Sequence, residues 1–404
     1  MKQLIRVYLV IFLITTAKGT INVIFPPFLE ERAFLVSQIG LLSSLFAVFQ
    51  LTARIPSGVL YTPKKAKLAL VAGLAILGLS ALGFTAFDQT SVLMLMIILN
   101  GFAFGAITTI ALALCIDAKP KDYSSGAMMG WYTSAIAAGN AVGGPVGGFL
   151  ADSYGYPAGF AATAALSLLA ILVISNLSVF SKIDAQIAAE KPEKKNFQWS
   201  LRANLGKIPP GVLMGTLIVF FLNLMFRSLH TFFPLFALTV GISLTEIGFL
   251  RSSLSLAAAL IRPFSGKLFQ VLHHRQVTHI AMVAAAGAVF LSPILTGSIS
   301  LLIILFVFMG VSRGLLRVTS ATFMAESNDE SPGSRVGVWS GVYNAGLDIG
   351  SIAGPAVGGF IASFTGIPMM LAVLPVLALG AYVVITIANR RQRSRAIETI
   401  YETD

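Results

Sequence analysis

Lys18, Arg227, Arg313, Arg317 and Asp348 each interrupt an otherwise apolar stretch, and their charges are unbalanced: four cations face one carboxylate. An ionisable residue inside such a stretch is costly and marks a pathway. A guanidinium keeps its charge at any working pH, and its planar fork donates two parallel hydrogen bonds to a carboxylate or phosphate. A cavity that collects these side chains therefore calls for an anion. At helical spacing Thr15, Lys18 and Asn22 share one face, and Asn223, Arg227, His230 and Thr231 share a second. Gly310, Arg313, Arg317 and Ser320 form a third face; Asn344, Asp348 and Ser351 form a fourth. Lys18, Asn22, Arg227, Arg313, Arg317 and Asn344 are the candidate ligand contacts. A plainer reading stays open, in which Arg313 or Arg317 pairs with Asp348 on the next helix and Arg317 snorkels to an interface. Asp348 and His230, the carboxylate and the histidine deep within apolar runs, are the candidate proton carriers. Arg251, nearer the outer end of its run, reads as a rim or gate residue.

The elements that must position these groups are membrane helices. Of 404 residues, 56% are hydrophobic and 11% charged. Those are too few charges to cover the outside of a soluble protein. Apolar runs of spanning length lie at 4–28, 37–60, 67–87, 91–115, 126–150 and 157–180. Six more follow at 211–236, 244–266, 277–296, 299–324, 335–361 and 367–388. Between the two sets, residues 181–210 are rich in Lys, Glu and Pro, as a solvated linker would be. The expected organisation is a six-helix bundle over 1–180, a cytoplasmic linker over 181–210, and a second bundle with a basic tail over 211–404. The first run lacks a small-residue cleavage site and reads as a retained helix.

Net charge is +11. The cations cluster in short connections and ends, where they report orientation and not nucleic-acid binding. Lys2, Arg6, Lys64, Lys65, Lys67, Lys119, Lys121, Lys267, Arg275, Arg335 and the tail arginines all fall on one side if both termini are cytoplasmic. The expected location is a bacterial cytoplasmic (inner) membrane, with the chain working as a monomer. The lone Cys115 excludes an internal disulfide. No GxxxxGK[ST] loop and no metal-ligand spacing occur, so no cofactor is expected. The Arg-rich interior offers no nucleophile with a base, so the chain is not read as an enzyme.

The second half of the chain repeats the first. At one constant offset Phe25-Pro26-Pro27-Phe28 falls on Phe233-Pro234-Leu235-Phe236, and Arg54 with Gly58 falls on Arg262 with Gly266. With small slips, Gly101, Gly105 and Asp117 match Gly310, Gly314 and Glu326. Parallel six-helix repeats describe a transporter whose site lies at the repeat interface near the midplane. Arg54, Gly58, Asp117, Arg262, Gly266 and Glu326 sit at equivalent cytoplasmic helix ends. Asp117 and Glu326 are expected to pair with such arginines as an inner gate.

Gly341, Gly350, Gly354, Pro355, Gly358 and Gly359 are spaced like the antiporter motif of the major facilitator superfamily, which the sequence resembles over essentially its whole length. A defective version occupies Gly130, Gly139, Gly144, Pro145, Gly147 and Gly148. The loop after the second helix resembles a degraded family signature, with Gly58, Leu60, Lys64 and Lys65 in place and Thr62 where the family has an acid. The resemblance implies an all-α membrane protein with twelve transmembrane helices in two six-helix repeats, and it suggests the drug and metabolite exporter branch. Gly350, Gly354, Pro355 and Gly358 are accordingly expected to be packing and conformational positions. The resulting expectation is proton-coupled efflux of a small organic anion or amphipathic anionic solute. Anion exchange, facilitated diffusion and lipid flipping are alternatives. From another class, the chain could be a non-transporting receptor or assembly protein.

Overall fold

The computed structural model describes residues 2–118, 124–175, 208–329 and 336–401. Among these the regular elements are twelve α-helices and one short 3-10 turn. The first six are α1 (Lys2–Glu31), α2 (Val36–Val59), α3 (Pro63–Ala86), α4 (Thr90–Asp117), α5 (Ser125–Tyr154) and α6 (Tyr156–Ser175). The second six are α7 (Pro210–Thr239), α8 (Leu244–Val271), α9 (His274–Leu291), α10 (Ile299–Asp329), α11 (Val336–Thr365) and α12 (Ile367–Tyr401). Residues 181–207 of the expected linker lie outside the described set. Ten helices are long and apolar enough to cross a membrane by length and composition. The other two, α5 and α9, are diluted by glycines and by the polar start His274-Arg275-Gln276 respectively.

The two sets of six pack in the same pairing. Helix α1 lies on α5 and α6, α2 on α4, and α3 on α4 and α6; α7 lies on α11 and α12, α8 on α10, and α9 on α10 and α12. Even single bonds repeat: Thr20 Oγ1 donates to Gly143 O between α1 and α5 (3.1 Å), and Ser228 Oγ donates to Gly354 O between α7 and α11 (2.6 Å). The turns after α5 and α11 repeat as well. Gly155 and Gly366 both hold φ of 81°. Glycine adopts this left-handed conformation without a Cβ clash.

Glycines form two ridges on each of α5 and α11, one for each neighbour. On α11, a Cβ at Gly354 would stand 2.6 Å from Leu224 O and one at Gly358 would stand 2.9 Å from Ser228 Oγ; Gly350 presses on Phe220 O in the same way. That ridge packs α11 onto α7 within its own set. Pro355 and Gly359 instead meet Gly40 of α2. On α5, Gly139, Gly143 and Gly147 pack on α1, whereas Gly144 and Gly148 meet Gly248 and Leu244 of α8. Small residues allow this backbone approach, as in helix packing generally within lipid.

We call the face where α1 begins proximal and the opposite face distal. The two sets meet through α5 against α8 and α2 against α11. At the distal end the contacts are backbone to backbone, and Asp152 of α5 caps the first turn of α8, accepting from Leu244 N (3.1 Å) and Thr245 N (2.8 Å). Toward the proximal face, Gly130 of α5, Gly266 of α8 and Gly341 of α11 have nothing near the place a Cβ would occupy. The backbone-to-backbone contacts between the sets lie toward the distal end, and on the proximal side the α2–α11 seam is bridged by side chains, Arg54 to Asp348.

Candidate functional site

A cavity opens between the two sets of helices, about midway along α1 and α7. Its polar wall carries Lys18, Asn22, Gln50, Asn100, Arg227, His230, Thr231 and Arg251; Phe25, Phe46 and Phe84 supply its apolar wall. No carboxylate is among the lining residues. Lys18 of α1 stands with Nζ 3.3 Å from the centroid of the Phe46 ring and 5.2 Å from that of Phe104. This cation–π stack favours the charge without an acceptor. Arg227 of α7 has its Nε buried without a hydrogen-bond partner. A buried guanidinium donor with no acceptor is costly, and an anionic ligand would remove that cost.

Arg251 reaches the same cavity from α8. Its Nη1 donates to the main-chain oxygens of Asn22 (2.5 Å) and His230 (3.5 Å). Of the two readings, rim or gate, a position confined to the rim does not hold: the long side chain on the second turn of α8 extends inward to α1 and α7. Three of its five N–H groups remain beyond those two bonds.

Arg313 stands behind this wall. Its Nη1 faces His230 Nε2 at 3.5 Å and its guanidinium lies 5.4 Å from the Phe226 ring centroid. A guanidinium only donates, so the contact requires His230 Nε2 to be the unprotonated nitrogen. A proton added there would break it. Arg317 does not line the cavity, and its side chain makes no ion pair among the described residues. Asn344 is exposed and donates to Ser340 O at 2.9 Å, away from the lining residues.

Asp348 finds its partner across the two sets, not on the neighbouring α10. Arg54 Nη1 of α2 donates to both carboxylate oxygens, at 2.8 and 3.1 Å. The plainer reading left open by the sequence, in which Arg313 or Arg317 pairs with Asp348, is not what the structure shows, because the Asp348 face of α11 looks toward α2. Among the described residues Asp117 likewise pairs with no arginine: it accepts from the Tyr61 hydroxyl at 2.6 Å. Burial first, and then this bond to a carboxylate, pushes the Tyr61 pKa upward. Arg262 and Gly266 are exposed near the proximal end of α8, and Gly58 is exposed on α2 with a single methyl, of Thr109, in reach. The side chain of Glu326 lies outside the described set.

Several lining residues carried no sequence signal: Gln50, Asn100 and Phe46 are ordinary helix residues whose inward direction depends on how α2 and α4 are rotated. Asn100 Nδ2 is spent on Ser80 Oγ at 3.0 Å.

The family model described as Major Facilitator Superfamily matches residues 7–328 and 215–400. An uncharacterized MFS-type transporter of Methanocaldococcus jannaschii is 26% identical over 339 residues, covering 82% of this chain and 84% of that protein. Multidrug resistance protein 2 of Bacillus subtilis is 25% identical, covering 87% of this chain and 86% of its own. Quinolone resistance protein NorA of Staphylococcus aureus is 24% identical, covering 89% of each chain. Among solved structures, a bacterial homolog to the human lysosomal transporter Spinster, in an inward-facing and occupied conformation, superposes with a TM-score of 0.73 at 15% identity, covering 95% of this chain and 96% of that one. The nucleoside transporter NupG gives 0.72 at 14% identity, covering 96% and 99%. Both structural likenesses speak to the fold.

Proposed function

The chain belongs to the Major Facilitator Superfamily and is a membrane transporter, not an enzyme; from that premise we propose that it exports a small organic anion, or an amphipathic solute with an anionic group, coupled to protons. The observation that carries the reading is the wall formed by Lys18, Arg227 and Arg251 with no carboxylate beside them and with Arg227 Nε lacking an acceptor. The phenylalanines opposite suit the apolar part of such a solute. Export is supported by relatives whose names refer to drug resistance. The excess of Lys and Arg at the proximal face supports a cytoplasmic location for that face and both termini, in a cytoplasmic (inner) membrane.

Proton coupling rests on Asp348. Its carboxylate joins α11 to α2 through Arg54, so a proton there removes the negative charge, leaves only a weaker neutral acceptor and loosens one of the two seams between the halves. The same pair favours a second reading, symport: with Asp348 protonated, Arg54 loses its carboxylate and the interior gains cationic character, which strengthens anion binding. Antiport requires proton and anion to bind in alternation. Opposed and parallel pH gradients across proteoliposomes separate the two directions.

The anion reading is tested by Arg227→Gln, which removes a cation and keeps a polar side chain. A charge-assisted hydrogen bond is worth about 1.5–3 kcal/mol, so the dissociation constant for an anionic ligand should rise roughly tenfold or more while that for a neutral analogue changes little. Equal loss for both ligands would sink the reading.

A further inference from the structure

In an α-helix the carbonyl of residue i accepts from the N–H of residue i+4, and a proline at i+4 leaves that carbonyl without its partner. Pro26 does this to Asn22 on α1, and Pro234 does it to His230 on α7. The two carbonyls occupy equivalent places in the internal repeat, and both accept from one atom, Nη1 of Arg251. That nitrogen carries two hydrogens, one for each oxygen. Asn22 is followed by two prolines, Pro26 and Pro27, so no N–H stands at either the fourth or the fifth position, and its bond is 2.5 Å. His230 is followed by Pro234 and Leu235, which still carries an N–H, and its bond is 3.5 Å.

The shorter bond crosses between the halves, since Asn22 lies on α1 and Arg251 on α8; the longer one stays within the second half. We propose that Arg251 is a positioning residue that staples the halves together in the distally closed state by satisfying the carbonyl exposed by Pro26. The staple must break each time the halves rock to open the distal face. A neighbouring contact is built the same way. Ser252, the next residue, donates to Ala141 O on α5, which is the carbonyl four residues before Pro145. On the other seam, Ser44 Oγ of α2 donates to Ile352 O of α11 at 2.7 Å, three residues before Pro355. At this depth the halves are held by side-chain donors on main-chain oxygens beside prolines. An oxygen so exposed, away from water, is expensive to leave unpaired, and a guanidinium is its strongest available donor.

The test uses full-length protein with Cys115→Ala, carrying spin labels on Tyr154→Cys and Val240→Cys. These are exposed residues at the distal ends of α5 and α7, one in each half, so their separation reports the distal face. Losing one charge-assisted bond should raise the ratio of distally open to closed molecules on the order of tenfold in Arg251→Gln. Pro26→Ala returns an N–H to the carbonyl of Asn22, makes the staple dispensable and should raise the open population too. Adding Arg251→Gln to Pro26→Ala should then change the distance distribution by less than about twofold, because the bond it removes no longer matters. A parent-like distribution in Arg251→Gln, or full additivity of the two substitutions, would overturn the proposal. Should Arg251→Gln fail to fold, Arg251→Lys and Pro26→Ala decide it: a rise in the open population for both supports the staple, and parent-like distances in either one overturn it.

Discussion

The two seams between the halves, α5 against α8 and α2 against α11, are related by the internal repeat yet built from different chemistry. The α5–α8 seam is neutral through most of its length: Gly144 against Gly248, Gly148 against Leu244, and Ser252 on Ala141 O, with Asp152 capping α8 at the distal end. The α2–α11 seam begins the same way, with Gly40 against Pro355 and Gly359, but continues inward to the Arg54–Asp348 ion pair. Backbone contacts set how closely the helices can approach and do not depend on pH. The second seam adds a pairing of opposite charges, Arg54 with Asp348, that spans the halves. Repetition thus set the geometry of both seams, and what differs is the carboxylate's partner: Asp152 sits at the distal end against main-chain N–H groups, whereas Asp348 sits deeper against a guanidinium.

The sharpest way to break this comparison is to wedge the neutral seam. A Cβ at Gly248 would stand 2.5 Å from Gly144 O and 2.7 Å from Pro145 N, both main-chain atoms that cannot rotate away. Gly248→Leu should therefore prevent distal closure and lower every mode of transport by about tenfold to a hundredfold, given overpacking costs of roughly 1–3 kcal/mol. Gly341→Leu, at a position with open space, is the control and should transport at the parental rate. A parental rate for Gly248→Leu in a proteoliposome assay would mean the seam does not close in the cycle.

Next in size is the ion-paired seam. Asp348→Asn removes the carboxylate that Arg54 holds while keeping its shape, so accumulation driven by a pH gradient should be lost. Exchange of labelled for unlabelled cargo should continue, because exchange needs no net proton movement. Full accumulation in this variant would reduce Asp348 to a structural counter-ion and make the two seams equivalent in function.

Two smaller effects sharpen the contrast. Asp152→Asn weakens the cap on the first turn of α8. A carboxylate near a helix N-terminus is worth about 0.3–1 kcal/mol. Spin-label distances should show about a two- to fivefold gain in distally open molecules. Tyr61→Phe removes a bond at the proximal end, outside both seams. It should lower the melting temperature by only about 1–2 °C. The folded state raises the Tyr61 pKa. Its contribution is therefore fully present below the ordinary tyrosine value of about 10 and declines only as pH rises beyond it. The difference between Tyr61→Phe and the parent should accordingly be flat from about pH 6 to 9.

Much of the architecture was legible because lipid imposes it. Long apolar runs must be helices there, and the internal repeat forces the second six to pack like the first. Lys18 and Arg227 could be assigned to the interior from their cost in an apolar segment, and the structure sets both on the cavity wall. Partner choice was not legible. Asp348 pairs with Arg54, 294 positions away, because α11 meets α2 across the halves, and helical spacing cannot say which neighbour a face will meet. For the same reason Asn344 shares the Asp348 face and still misses the cavity, and Arg313 and Arg317 fall behind the wall their charge suggested.

Arg251 marks the boundary between the two kinds of information. Pro26 and Pro234 announce in the sequence that the carbonyls of Asn22 and His230 lack an N–H, since proline has none to offer. Which donor answers them is a matter of where α8 stands relative to α1 and α7. The sequence alone therefore determined the helices, their repeat, the cationic inventory and the two unsatisfied oxygens, all consequences of local covalent chemistry and of a solvent that tolerates no unpaired backbone. The tertiary structure decided which cations share a wall, which carboxylate joins the halves and which guanidinium bridges the proline breaks. Those are through-space relations between segments remote in the chain, set by the packing of glycine-lined helices.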